Sequence, residues 1–239
     1  MITIVTGGTR GIGAAITRAL VARGHRVVAS YVRDHRSARA LEDELDGLTV
    51  VRADITTGPG RDVLFDTAAR LGPLTGLVNN AGATRHIGPL ATTDPEIVHD
   101  VIDLNLTATI LCAQRAVQDM TATGTAGTIV NISSGAATTG SPGEYVHYAA
   151  AKAGVDALTL GLGREVAGQG IRVVGVAPGT IRTDIHADAG DAGRADRVAE
   201  RVPLGRAGEP DDIGGIVAWL FGPEASYVTA TTIRVTGGT

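Results

Sequence analysis

Tyr148 and Lys152 stand four residues apart in Tyr148-Ala149-Ala150-Ala151-Lys152, inside an alanine-rich stretch. On a helix that spacing puts both side chains on one face, with Cβ atoms about 5–6 Å apart. A phenol is a poor acid or base near neutrality because its reference pKa is about 10. Lowering it by about 3 units requires about 4 kcal/mol of differential stabilisation of the phenolate, and a neighbouring ammonium acts with the right sign. Lys152 is the only lysine in the chain; every other Lys/Arg position is arginine, which cannot exchange a proton near neutral pH. The pair suits proton transfer to or from an oxygen. Tyrosine and lysine at helical spacing are also common on solvated faces, so the pair gains meaning only beside other groups.

A second such group is Ser134, in Asn131-Ile132-Ser133-Ser134 at the end of an apolar run. A serine at the carboxyl edge of a strand can donate a hydrogen bond to a substrate oxygen, much as an oxyanion hole does. Ser133 reads better as a turn or cap serine. A serine-hydrolase elbow is not supported: no G-x-S-x-G occurs, and Gly140-Ser141-Pro142-Gly143 has the wrong spacing.

The third feature is Thr6-Gly7-Gly8-Thr9-Arg10-Gly11-Ile12-Gly13, directly after the first apolar run and before a helical pattern. Glycines at 7, 11 and 13 allow a tight turn, close backbone approach to a pyrophosphate, and tight packing of helix on strand. The helix start then offers free N–H groups and partial positive charge to phosphates. The alternative is a plain glycine-rich turn, but its place between strand and helix favours nucleotide binding. The spacing G-x-x-x-G-x-G differs from G-x-G-x-x-G, and no Gly-Lys-Ser/Thr follows, so the loop is not that of an NTPase.

Elements of an α/β chain must position these groups. Strands are expected at 2–6, 26–31, 49–54, 75–80, 128–133, 171–177 and 231–235. Helices are expected near 12–23, 36–46, 60–71, 95–121, 147–168 and 209–221. Runs such as Ile129-Val130 and Val173-Val174 are apolar on both faces, as in a parallel sheet covered on both sides. Regular alternation with short connections means a single Rossmann-type doubly wound sheet of about seven strands, residues 1–239 forming one domain. The stretch 180–208, rich in Asp, Ala, Gly and Arg, has no clear pattern and reads as a substrate-binding lid segment.

The 239 residues carry 21 Lys+Arg against 25 Asp+Glu, a formal charge of -4, which argues against a nucleic-acid partner. No apolar stretch approaches the roughly 18 residues of a membrane span. Ile2-Thr3-Ile4-Val5 is too short for a signal peptide. Cys112 is the one cysteine, so a reducing, cytoplasmic setting fits. The six histidines show no H-E-x-x-H spacing, and no catalytic metal is expected.

Taken together, Thr6–Gly13, Asn79-Asn80-Ala81-Gly82, Asn105, Ser134, Tyr148-x-x-x-Lys152 and Pro178-Gly179 resemble the short-chain dehydrogenase/reductase family, of the short, roughly 250-residue type. The resemblance runs end to end. It implies that Tyr148 is the general acid for carbonyl reduction or the base for alcohol oxidation. Lys152 would hold the nicotinamide ribose and favour the tyrosinate, and Ser134 would orient the carbonyl. Asn105 would sit at a helix distortion and bind a water linking Lys152 to solvent. Gly7, Thr9, Arg10, Gly11, Ile12 and Gly13 would cradle the cofactor. Asn80, Ala81 and Gly82 would line the nicotinamide ribose, Asp54 would meet the adenine amino group, and Pro178, Gly179, Ile181 and Thr183 would hold the carboxamide. There are three departures: Ser134 lies fourteen residues before Tyr148 where thirteen is usual, Ala230 stands where glycine is common, and Thr236 where an acidic residue is.

An NAD enzyme usually has Asp or Glu at the end of the second strand, bonded to the ribose hydroxyls. Here Ser30 holds that place, followed by Tyr31 at the cofactor, and Asp34 reads as a helix cap. Arg10 and Arg33 could face a 2′-phosphate, Arg33 being equally readable as a solvated loop arginine. NADP(H) is therefore preferred, with NAD(H) the alternative.

Cys112 reads as a buried hydrophobe. His147 and Tyr145 either touch substrate or lie on the surface, Arg85 and His86 could line the entrance, and Trp219 reads as core or subunit contact. The expected function is hydride transfer between nicotinamide and a carbonyl or secondary alcohol of a small substrate, as an NADPH-dependent ketoreductase. A 3-oxoacyl-acyl-carrier-protein reductase is the alternative, although Thr121–Gly127 and Ala167–Gly170 lack the basic residues an acidic carrier would meet. A non-catalytic NADP-binding sensor is remote, because such proteins usually lose the tyrosine or lysine. Apolar residues around the helices at 95–121 and 147–168, with Gly154, Gly161 and Gly163, predict a homotetramer, or failing that a dimer.

Overall fold

A computed structural model of the protein describes residues 1–185 and 187–239; His186, within the expected 180–208 segment, lies outside the described residues. Seven strands form one sheet: β1 (Ile2–Val5), β2 (Arg26–Tyr31), β3 (Leu48–Arg52), β4 (Leu74–Asn79), β5 (Thr128–Ile132), β6 (Arg172–Pro178) and β7 (Thr231–Val235). Their order is β3-β2-β1-β4-β5-β6-β7 and every pairing is parallel, the doubly wound arrangement expected. The helices are α1 (Gly11–Ala22), α2 (His35–Glu44), α3 (Gly58–Ala69), α4 (Pro95–Ile102), α5 (Ala108–Thr123), α6 (Ala136–Thr139), α7 (Val146–Val166), α8 (Arg194–Ala199) and α9 (Pro210–Leu220).

Two apolar layers sandwich the sheet. On one side Val5, Val130 and Val174 pack with Ile16 and Leu20 of α1 and with Ile213 and Val217 of α9. On the other, Ile4, Leu77, Ile129 and Val173 pack with Leu64 and Phe65 of α3 and with Cys112 and Met120 of α5. Each fully buried large side chain contributes about 1.5–3 kcal/mol, which is why β-branched runs settle at the centre. Cys112 is the buried hydrophobe expected, and burial pushes its thiol up to about 12. Trp219 packs partly buried against the first layer.

Local chemistry sets the helix starts. Asp34 caps α2 by accepting from Ser37 N at 2.9 Å, the role the sequence suggested for it. Thr57 caps α3, Asp94 caps α4, and a Glu209–Asp212 capping box opens α9.

The helix expected at 95–121 is instead α4, a π turn at Asp103–Thr107, and α5. Asn105 explains the break: its Nδ2 donates to Val101 O at 2.8 Å and to Ala83 O at 2.9 Å, drawing backbone groups away from the regular ladder. The stretch 180–208 is not patternless, for it contains α8 and a bridge between Ile181 and Gly208. The extra residue between Ser134 and Tyr148 is absorbed in a loop holding α6 and Ser141, whose φ is 43°. Ala230 has φ 54°, the left-handed conformation that glycine adopts freely, which gives a physical reason for glycine at that place.

Candidate active site

The chain crosses between sheet halves at β1 and β4, and a cleft of about 1000 Å³ opens at the carboxyl ends of the strands there. Every residue expected to catalyse or to hold the cofactor lines this cleft except Asn105, which is fully buried beside Gly82 of its lining.

The glycine turn forms one floor. Gly7 and Gly11 have φ of 61° and 50°, and a Cβ on Gly13 would lie 2.1 Å from Gly7 O. Side chains from other strands brace the turn. Ser30 Oγ accepts from Gly7 N at 3.1 Å, Asn80 Nδ2 donates to Thr6 O and Gly7 O at 3.0 Å each, and Thr6 Oγ1 accepts from Asn80 N at 2.9 Å. Ser30 and the Asn80 side chain thus hold the loop rather than stand free in the cleft. No side chain caps α1, so its first turn presents backbone N–H groups at the cleft floor where Gly11, Ile12 and Gly13 line it. An uncapped twelve-residue helix behind a glycine turn fits a pyrophosphate.

At the opposite wall α7 presents Tyr148 and Lys152, 8% and 3% exposed. Lys152 Nζ donates to Ile132 O at 2.8 Å and stands 5.7 Å from the Tyr148 ring centroid. Burial lowers the ammonium to about 8, partly offset by Asp156. Burial also raises the Tyr148 phenol above its ordinary value, while the Ser134 hydroxyl opposes that rise. Ser134 Oγ accepts from Ala136 N at 3.1 Å, and Ser133 Oγ donates to Lys152 O at 3.3 Å, so Ser133 ties strand to helix as a structural serine.

Asn105 is fully buried at the expected distortion. Its Oδ1 has no hydrogen-bond partner among the described residues, and a Cβ on Gly82 would lie 2.7 Å from it and 3.5 Å from Lys152 Nζ. An unpartnered buried acceptor and a buried ammonium donor, both bordering Gly82, are the kind of partners a bridging water requires.

Near the end of β2, Tyr31 Oη is 2.9 Å from His35 Nδ1, and Arg33 is exposed at the cleft edge. Arg10 pairs with Asp188 at 2.7 Å, both side chains about half exposed. Asp54 Oδ1 accepts from Thr56 N at 3.0 Å and Thr56 Oγ1 at 2.7 Å. Gly179 N donates to Val235 O at 2.9 Å, and Pro178 O accepts from Gly135 N at 2.8 Å, fixing the strand ends. Ile181 is buried, and Thr183 Cγ2 would be 3.2 Å from a Cβ on Gly11, so 178–183 closes over the glycine turn.

Of the residues with open readings, Tyr145 and Arg85 line the cleft, and His86 and His147 do not. His147 is buried and its Nε2 donates to Thr84 O at 3.3 Å, which pins residue 84 to α7 beside Tyr148. A buried polar chain was not foreseen: Asn79 Nδ2 donates to Asn131 Oδ1 at 2.9 Å, Asn131 Nδ2 to Thr159 Oγ1 at 2.9 Å, and Thr159 Oγ1 to Val155 O at 2.8 Å. It locks β4 and β5 to α7. Asn79 stood in a quoted motif, yet nothing in its spacing points to Asn131 or Thr159.

Comparison with known proteins agrees with this geometry. The family model described as Enoyl-(Acyl carrier protein) reductase matches residues 7–239. The chain is 39% identical to the uncharacterized oxidoreductase YgfF of Escherichia coli (strain K12), over 99% of both chains. It is 38% identical to 3beta-hydroxysteroid dehydrogenase 1 of Eggerthella lenta, over 98% of this chain and 92% of the relative. It is 36% identical to a 3-oxoacyl-(acyl-carrier-protein) reductase of Synechocystis sp., over 99% of this chain and 96% of the relative. With that coverage and a cleft holding Ser134, Tyr148 and Lys152 opposite a glycine turn, the chain is an oxidoreductase belonging to the short-chain dehydrogenase/reductase family.

Proposed function

We propose that this cleft reduces the carbonyl of a free small molecule with NADP(H), NAD(H) being the weaker alternative. The observation that carries the reading is that an uncapped helix start and the Tyr148–Ser134 pair share one cleft. The first turn of α1 would hold the pyrophosphate, Asp54 the adenine edge, Asn80, Ala81, Gly82 and Lys152 the nicotinamide ribose, and Pro178, Gly179, Ile181 and Thr183 the carboxamide. When bound, the cofactor supplies the hydride. Ser134 Oγ–H orients the substrate carbonyl, and Tyr148 Oη gives its proton to the carbonyl oxygen as negative charge develops there. Lys152 Nζ and Asn105 Oδ1 both border Gly82, where one water would join them and return a proton toward Tyr148. Arg10 and Arg33 line the same cleft as Tyr31 and the uncharged Ser30, and Asp34 turns one carboxylate oxygen to Ser37 N as the cap of α2. In the oxidative direction the same groups run in reverse.

A carrier-bound 3-oxoacyl substrate is the second reading, favoured by the name of the Synechocystis relative. Against it, residues 121–127 and 167–170 carry no positive charge. The proposal extends to a cytoplasmic homotetramer. Ala150, Ala153, Ala157, Leu160 and Gly161 of α7 and Ile110 of α5 are exposed, a face that a second copy would cover. Among described residues no helix is long and apolar enough to cross a membrane. A panel of free ketones and carrier-linked 3-oxoacyl groups, followed by NADPH oxidation, tests the reading; turnover restricted to the carrier-linked substrates would replace it with the second.

A further inference from the structure

One charged side chain outside the Tyr148–Lys152 pair is drawn almost wholly inside the cleft. Arg194, at the start of α8, is 12% exposed at its side chain. Its two terminal nitrogens grip both carboxylate oxygens of Glu144, Nη2 to Oε2 at 2.8 Å and Nη1 to Oε1. Nη2 also donates to Tyr145 Oη at 2.9 Å, and the guanidinium lies 5.2 Å from the Tyr145 ring centroid. Tyr145 in turn meets Tyr148 edge-on at 5.5 Å. Glu144 is fixed from its other side, since its backbone oxygen accepts from Gly88 N at 2.6 Å. A planar guanidinium engaged bidentately is a pre-organised clamp, and removing Glu144, itself 38% exposed, leaves the buried Arg194 charge uncompensated. The contacts thus run unbroken from residue 194 to the phenol, and they make a stiff wall.

We infer that Arg194, by clamping Glu144 and Tyr145, is the specificity-determining residue of the cleft, admitting compact uncharged carbonyls beside Tyr148 and excluding fused-ring ketones and free carboxylates. The inference rests on the carbonyl-reducing reading above. Bulk is excluded because the clamp holds the Tyr145 ring against Tyr148, where a rigid polycycle would need that ring to move. Anions are excluded because Arg194 is already neutralised by Glu144, while Asp184 lines the same cleft. Although Arg194 Nε has no hydrogen-bond partner among the described residues, the guanidinium charge is already met by Glu144 and gives a substrate carboxylate no free counter-charge.

The test compares kcat/KM for ethyl 3-oxobutanoate, free 3-oxobutanoate and a 3-oxosteroid in the unmodified protein and in Arg194→Ala, Arg194→Lys and Glu144→Gln. The unmodified protein is expected to favour the ester over each of the others by at least about tenfold. Arg194→Ala should cut the ester-to-steroid ratio by at least about fivefold, chiefly through the steroid's KM, and Arg194→Lys should keep most of it. A purely structural role would lower all three substrates together. Glu144→Gln, which preserves shape, should also lower the ester-to-steroid ratio and, by leaving Arg194 without its counter-charge, the ester-to-carboxylate ratio; it serves if Arg194→Ala does not fold. An unmodified protein that reduces the steroid as well as the ester, or ratios in folded variants within about twofold of the unmodified protein, would overturn the inference while leaving carbonyl reduction intact. No NADPH oxidation with any carbonyl would overturn the underlying reading, and this one with it.

Discussion

Lys152 Nζ stands 5.7 Å from the centroid of the Tyr148 ring while donating to Ile132 O at 2.8 Å. The two side chains share one helix face, as their four-residue spacing requires, yet the ammonium is moored to the end of β5. Its compact shape allows it to serve the strand, the ring face and the space beside Asn105 at once.

Arginine would keep the charge but bring a broad planar fork into a position 3% exposed. Lys152→Arg is expected to lose more than tenfold in kcat, at least about 1.4 kcal/mol of barrier, with its far-ultraviolet circular dichroism unchanged. The pH profile carries a second signature. Burial lowers the folded-state ammonium from 10.5 to about 8, so the charged form prevails below pH 8 and is lost above it. Reduction should therefore slow as pH rises through about 8, and Lys152→Met should lack that limb. The linked stability effect has the opposite sign: between about 8 and 10.5 the unfolded chain binds the extra proton, so the Lys152 contribution to stability improves as pH rises.

Cofactor preference turns on Arg10 and Arg33. The Arg10–Asp188 pair is half exposed and contributes about 0–1 kcal/mol, so it yields readily to a phosphate dianion. NADPH should bind more tightly than NADH by fluorescence titration. Arg10→Ala combined with Arg33→Ala should weaken NADPH by about tenfold or more and NADH by less than about twofold. Equal dissociation constants for the two nucleotides in the unmodified protein would contradict the preference.

Ala230 offers a test of backbone strain. Its φ of 54° lies where a Cβ costs about 1–2 kcal/mol, against about 0.5–1 kcal/mol for the extra freedom of glycine in the unfolded chain. Ala230→Gly should raise Tm by about 2 °C. A lowered Tm would show that the Cβ, close to the Gly163 backbone, contributes more by packing than it costs in strain.

These predictions draw on features of unequal visibility in the sequence. The strands were legible within one or two residues because runs such as Ile129-Val130 must be apolar on both faces. The glycine turn and Tyr148–Lys152 were legible because each depends on residues adjacent along the chain. Asn79, Asn131 and Thr159 were not, since a polar ladder across two strands and a helix leaves no period in any one of them. The break at Asn105 was legible only through the family resemblance, because Ala83, twenty-two residues away, helps to hold its amide. Arg194 finds Glu144 fifty residues distant, so neither announces the other. Gly154 and Gly163 suggested subunit contact from sequence, but a Cβ there would meet Leu106 and Ala230 of the same chain, leaving only Gly161 of the three in open space.

The assembly expectation now stands on the exposed α5 and α7 residues and Gly161. Light scattering at micromolar concentration should give about four times the 24.3 kDa chain mass. Replacing Leu160, 42% exposed, with Glu should reduce that mass. An active species at the single-chain mass would rule assembly out.

The central claim is that Tyr148 Oη supplies the proton to the substrate oxygen, and Tyr148→Phe isolates that one atom. The ring and its packing against Tyr145 remain, and only the hydroxyl is lost. Steady-state NADPH oxidation with the best ketone of the panel should fall by at least about a hundredfold, the usual contribution of a positioned general acid, while the dissociation constant for NADPH stays within about threefold. A Tyr148→Phe protein retaining more than about a tenth of the unmodified rate, a barrier change under about 1.4 kcal/mol, would contradict it.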